Sequence, residues 1–136
     1  MDMTNQMMEM HSKDMPMRGM DLGMMQACIE ACSACEQACT MCAGSMMSDD
    51  AMSCTAMCMN CADMSNTMMR MMLRPTGMHM PTMMSMLESM MMMATACADE
   101  CMSHAEMNED CRMCAEVCRQ CAMACQNMLE SMKSMA

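Results

Sequence analysis

Ten of the fifteen cysteines in this 136-residue chain stand in two regular ladders. Cys28, Cys32, Cys35, Cys39 and Cys42 are separated by steps of 4, 3, 4 and 3, and Cys111, Cys114, Cys118, Cys121 and Cys125 by steps of 3, 4, 3 and 4. Cys54, Cys58 and Cys61, and Cys97 with Cys101, form two shorter ladders. Alternation of 3 and 4 keeps every member on one stripe of an α-helix. Each long ladder is therefore a sulfur rail about 21 Å long, at ~1.5 Å of rise per residue. Thiolates are soft donors that select soft ions such as Cu(I). Neighbours at i,i+3 and i,i+4 stand about 5–6 Å apart at Cβ, so flexing side chains can close on one ion from two sides. Two- and three-sulfur coordination suits Cu(I), whereas Zn(II) takes four ligands in a tetrahedron, usually presented by loops. Pairs on straight helical rails favour Cu(I).

Charge points the same way. Exchanging each thiol proton for one Cu(I) leaves a buried core neutral, whereas isolated two-thiolate sites would each leave an uncompensated negative charge. Bridging thiolates and a load on the order of 15 Cu(I), roughly one per cysteine, follow from that exchange. Free cysteine also fills narrow core layers as a small hydrophobe, but Ala or Val would do this without the reactivity.

Further candidate ligands flank the ladders. His104 follows Cys101 by three residues and continues the 97/101/104 stripe, while Met41, Met46, Met47 and Met107 fall near the same end. His104, Met41, Met46 and Met107 are candidate auxiliary ligands. His11, in Met-Glu-Met-His with Met15 and Met17 after it, and His79, in Met-His-Met, resemble loose thioether/imidazole copper motifs. Elsewhere Met at helical spacing ordinarily means core.

Four long helices must position these rails. The first is expected from about Asp21 to Ala43, with Gly44 as its stop. A second follows Ser48 as N-cap, with Asp49 and Asp50 in its first turn, and ends near Arg74 before Pro75 and Gly77. A third begins around Pro81 or Thr82 and runs to about His104. The fourth runs from Asn108, where Glu109 and Asp110 suit the helix dipole, to about Lys133. Helices of roughly 23–26 residues with short connections predict an all-α, antiparallel up-down-up-down four-helix bundle over residues 21–136. Residues 1–20, Met-rich and broken by Pro16 and Gly19, form an N-terminal arm or short helix. In that topology the cysteines gather at one end, giving a thiol half and a thioether half that holds Met68, Met71, Met72, Met83 and Met90.

The core is sulfur by composition. With 54% hydrophobic residues the chain can bury one, yet it has no Phe, Tyr or Trp, and its 37 methionines outnumber every other bulky apolar residue. Net charge is −10, with acidic residues scattered through the helices. That disfavours nucleic acid, which needs a basic patch, and suits a solvated acidic surface. Apolar runs such as Met90 to Ala98 are too short to cross a bilayer. An odd number of thiols on continuous helices favours reduced cysteines and a reducing compartment, hence the cytoplasm. Export, with a signal peptide absent from this sequence, is the alternative.

The run Cys111-Arg-Met-Cys-Ala-Glu-Val-Cys-Arg-Gln-Cys-Ala-Met-Ala-Cys125 and the matching ladder Cys28-Ile-Glu-Ala-Cys-Ser-Ala-Cys-Glu-Gln-Ala-Cys39 closely resemble the bacterial copper storage proteins. The resemblance covers about residues 21–130. It implies a homotetramer of bundles, each lined with thiolates holding many Cu(I) ions, loaded through the end where His104 lies. A copper donor or acceptor protein would be the partner. The chain departs from the pattern in its methionines, notably Met68 to Met72 and Met90 to Met93. A metallothionein-like zinc or mixed-metal buffer and a copper chaperone are the competing readings. No Ser/His/Asp set, carboxylate pair or Gly-rich phosphate loop points to an enzyme.

Overall fold

The computed structural model describes residues 3–11, 21–45 and 52–135. Five α-helices follow in order: α1 Met3–His11, α2 Leu22–Ser45, α3 Met52–Met72, α4 Met80–Met102 and α5 Glu109–Met135, with a 3-10 turn at Pro75–Gly77 between α3 and α4. The four long helices pack as a closed ring in which α2 touches α3 and α5, and α4 touches α3 and α5. This is the expected antiparallel bundle, with helices of 24, 21, 23 and 27 residues.

Local chemistry sets the helix ends. Asp21 caps α2, its Oδ1 accepting from the Met24 backbone N–H at 3.0 Å. Asn108 does the same for α5, with Oδ1 accepting from Asp110 N–H at 2.8 Å, and Glu109 and Asp110 sit in the first turn where the dipole favours them. α3 stops three residues short of Pro75, which starts the 3-10 turn. Helix ends fall within about two residues of expectation, and two of the differences bear on the candidate ligands and their helix. α2 runs through Gly44 to Ser45, since glycine inside a helix is a cost of about 1 kcal/mol and not a stop. α4 ends at Met102, so His104 lies in the following turn and not on the helical stripe of Cys97 and Cys101. Ser48, Asp49 and Asp50, expected to start α3, lie outside the described residues, as do Met15 and Met17.

α1 rests on α2 and on the 3-10 turn, with Met8 as its buried anchor. Among the described residues, no helix is long and apolar enough to cross a membrane.

Layers through the bundle can be read from the cross-helix contacts. Cys58 pairs with Cys97 and Cys54 with Cys101 between α3 and α4, and the same register brings the Ser65 hydroxyl to within 3.9 Å of Met90 Sδ. Between α2 and α5 the contacts run Cys42 to Cys111, Cys39 to Cys114, Cys35 to Cys118, Cys32 to Cys121 and Cys28 to Cys125. Thiols thus line α2 and α5 for most of their facing length but only one end of α3 and α4. The division expected between a thiol half and a thioether half is therefore slanted: on the α3/α4 side the thiols stop at Cys61 and Cys97, and Ser65, Met68, Leu87 and Met90 take over. Beyond lie Met25, Met72, Met83, Met128 and Met132, all buried.

Candidate metal centre

All fifteen cysteines are free thiols and all are buried, none more than 1% exposed. The rails expected from the 3/4 spacing turn inward while charged and polar residues between them face out: Glu30, Gln37 and Thr40 on α2, and Arg112, Glu116 and Arg119 on α5, lie on the outer side of their helices. A single apolar stripe per helix leaves the bundle no other face to bury.

Four groups of sulfurs converge, each with its members within 4.8 Å of one another. They are Cys35/Cys39/Cys61/Cys118, Cys39/Cys58/Cys97/Cys114, Cys42/Cys58/Cys101/Cys114 and Cys28/Cys32/Cys125. The remaining three cysteines join at the edges: Cys54 lies 3.8 Å from Cys101, Cys111 3.6 Å from Cys42, and Cys121 3.9 Å from Cys32. Cys39, Cys58 and Cys114 each belong to two groups. Cys39 Sγ stands 3.6 Å from Cys118, 3.7 Å from Cys114, and 3.9 Å from both Cys35 and Cys97. With metal–sulfur bonds of about 2.3 Å, sulfurs sharing one ion lie roughly 3.8–4.0 Å apart in tetrahedral or trigonal geometry. The thiols therefore already stand at ligand spacing, as one continuous column.

The electrostatics of the column are those of crowded thiols that donate to one another. Cys54 is pushed up to about 12, by burial first and then by the charge of Cys101, and burial raises Cys111 as well. Cys61 falls to about 5, chiefly through hydrogen bonding from Cys118, against an opposing push from Cys35. At Cys101 the contact with Cys114 pushes upward, but hydrogen bonds from Cys42, Cys58 and Cys97 prevail and bring it to about 4. S–H donation from neighbouring thiols thus favours ionisation at Cys61 and Cys101, and burial opposes it. A cation entering such a column meets nucleophilic sulfur and displaces protons as it binds.

The flanking residues occupy different positions. His104 is partly buried in the α4–α5 turn, with Nε2 3.6 Å from Glu100 Oε1 and its backbone N–H on Cys101 O at 3.1 Å. It stands beside the Cys101 end of the column but in none of the converging groups. Met41 and Met107 are 66% and 76% exposed, so their thioethers meet solvent and not the core thiols. Met46 lies outside the described residues. Nearby, Asn108 Nδ2 donates to Ser45 Oγ at 3.3 Å, tying the last residue of α2 to the turn before α5 across this mouth. Sequence reasoning missed Ser65, the one buried polar side chain in the described core; its signal was a small hydroxyl residue on the apolar stripe four residues after Cys61.

A four-helix bundle whose axis is filled with reduced, touching thiols is a container for soft metal ions. The chain belongs to the copper storage protein family, whose model matches residues 22–130. Among solved structures, it is similar to the copper storage protein Ccsp of Streptomyces lividans loaded with 10 copper equivalents, at 36% identity and a TM-score of 0.85, covering 94% of this chain and 98% of that one. It is also similar to a cytosolic copper storage protein of S. lividans described with five coppers, at 39% identity and a TM-score of 0.77 over 79% of this chain and 93% of that one. A single histidine-to-alanine mutant of the Streptomyces protein aligns with a TM-score of 0.81 at 39% identity, over 84% of this chain and 98% of that one. No curated protein matches the chain.

Proposed function

We propose that each chain stores many Cu(I) ions in the thiol column, with all fifteen cysteines as ligands. The observation that carries this reading is the sharing of Cys39, Cys58 and Cys114 between adjoining four-sulfur groups. Shared sulfurs are bridging ligands, and bridging is what brings the metal-to-sulfur ratio toward one and the buried charge toward zero. Separate Zn(II) sites of four thiolates would each carry two net negative charges and could not use the same sulfur independently. The five- and ten-copper forms of the Streptomyces protein support a column filled ion by ion.

His104 and Met107 serve the mouth, passing ions between solvent and Cys101, Cys111 and Cys42, with Met41 and Met46 as auxiliary ligands. The role is storage without catalysis, since the reactive atoms are buried ligands inside the bundle. A homotetramer, a copper donor or acceptor protein and a cytoplasmic setting complete the reading. Support for the last comes from the free thiols and from the relative described as cytosolic. Residues 1–20 are an appendage to a bundle of residues 21–136.

Competition tests the choice of metal. Reduced protein offered Cu(I) and Zn(II) at equal thiol equivalents should retain copper and release zinc almost completely. Retention of both in comparable amounts would instead favour a mixed-metal buffer.

A further inference from the structure

We propose that the end of the bundle opposite the thiol mouth carries a separate site for one soft monovalent cation, Cu(I) or its surrogate Ag(I), held by thioethers and one imidazole. A cleft of about 300 Å³ lies between the end of α3, the 3-10 turn and the start of α4, and its lining includes Met71, Met78, Met83 and His79. Met83 and Met78 are buried, Met71 is half-buried and His79 is exposed, so the donors run from the core outward to water. Three neutral thioethers and an imidazole suit Cu(I); hard cations require oxygen ligands, and no carboxylate lines this cleft.

The imidazole is held in place. His79 Nδ1 lies 2.7 Å from Thr82 Oγ1, one turn into α4. With the ring N–H donating to that hydroxyl, Nε2 keeps its lone pair for a metal, the arrangement by which outer partners orient ligand histidines. His79 is also the residue before the first turn of α4, yet its side chain makes no cap to the backbone, so helix capping does not account for it.

Charge sets the strength of the site. The donors are neutral and Arg74 also lines the cleft, so a bound cation stays uncompensated and a divalent ion is opposed twice as strongly as a monovalent one. The site is therefore weaker than the thiols and fills after them. It depends on the storage reading only for the choice of Cu(I) as the physiological ion.

The test uses the full-length reduced protein labelled at its methionine methyl groups. Cu(I) is added anaerobically until the thiolate–copper absorption saturates, and then beyond. We expect a further equivalent to shift the methyl resonances of Met71, Met78 and Met83 and the ring signals of His79. The M71L/M83L variant, which keeps side-chain volume, and H79A should bind this equivalent at least tenfold more weakly with the thiol phase unchanged. R74Q should bind it several-fold more tightly, and M92L, on the exposed face of α4, should match the parent protein. Methyl resonances that stay still beyond thiol saturation, or an unaltered late phase in M71L/M83L, would overturn the proposal. A normal thiol phase without a late one defeats this site alone, whereas a missing thiol phase defeats the storage reading.

Discussion

The Ser65 hydroxyl donates to the Met90 thioether at 3.9 Å, and this contact marks where the buried thiols of α3 and α4 end. Across the core at the same level, Cys32 and Cys121 still face each other at 3.9 Å. One side of the layer is thiol and the other is hydroxyl and thioether. Ser65→Cys should therefore extend the column, adding a third thiol to the Cys32/Cys121 level and raising copper capacity by about one ion. Met90→Leu should leave capacity unchanged and cost less than about 1.5 kcal/mol of apo stability. Metal-to-protein ratios at saturation check both; a loss of copper in Met90→Leu would mean that the thioether is itself a storage ligand.

Cysteines within the column should differ in weight. Cys39 touches four other sulfurs, whereas Cys54, at the mouth, is joined through Cys101. Cys39→Ala is expected to remove two or more Cu(I), and Cys54→Ala about one. Each deletion leaves a cavity of one heavy atom, for about 1 kcal/mol in the apo protein, so loss of copper should not track loss of stability. Equal losses at the two positions would argue for independent sites and against shared sulfurs.

Apo stability should fall in alkali. Cys54 is neutral in the folded protein up to about 12, against 9.0 for an exposed thiol, because burial opposes its ionisation. Between those values the unfolded chain has released a proton that the folded one retains, so the contribution is intact below pH 9 and lost as pH rises through 12. Denaturant midpoints of the reduced metal-free protein should drop from pH 9 to pH 12, and less steeply in Cys54→Ser. A midpoint that rises over this range would contradict the burial argument.

The ladders made much of this legible in advance. Steps of 3 and 4 specify a helix stripe, and the placement of Pro75 and of Asn108 with Glu109 and Asp110 after it located the helices to within a few residues. The slant of the thiol column was not legible, because it depends on the axial register of α3 and α4 against α2 and α5, which no single helix encodes. Nor was the docking of α1 through Met8, since one methionine among 37 carries little pattern. His104 illustrates a different limit. Its spacing continues the Cys97/Cys101 stripe, but the helix ends at Met102 and the stripe with it.

The central claim is that the thiol column acts as one bridged store, and anaerobic titration of the reduced protein with Cu(I), followed by quantification of metal and protein, tests it most directly. The fifteen buried thiols and their shared contacts predict well over ten Cu(I) per chain at saturation, with close to one proton released per thiol engaged. Saturation at four or fewer ions would contradict the account, reducing the column to a few separate sites set in a sulfur-rich core.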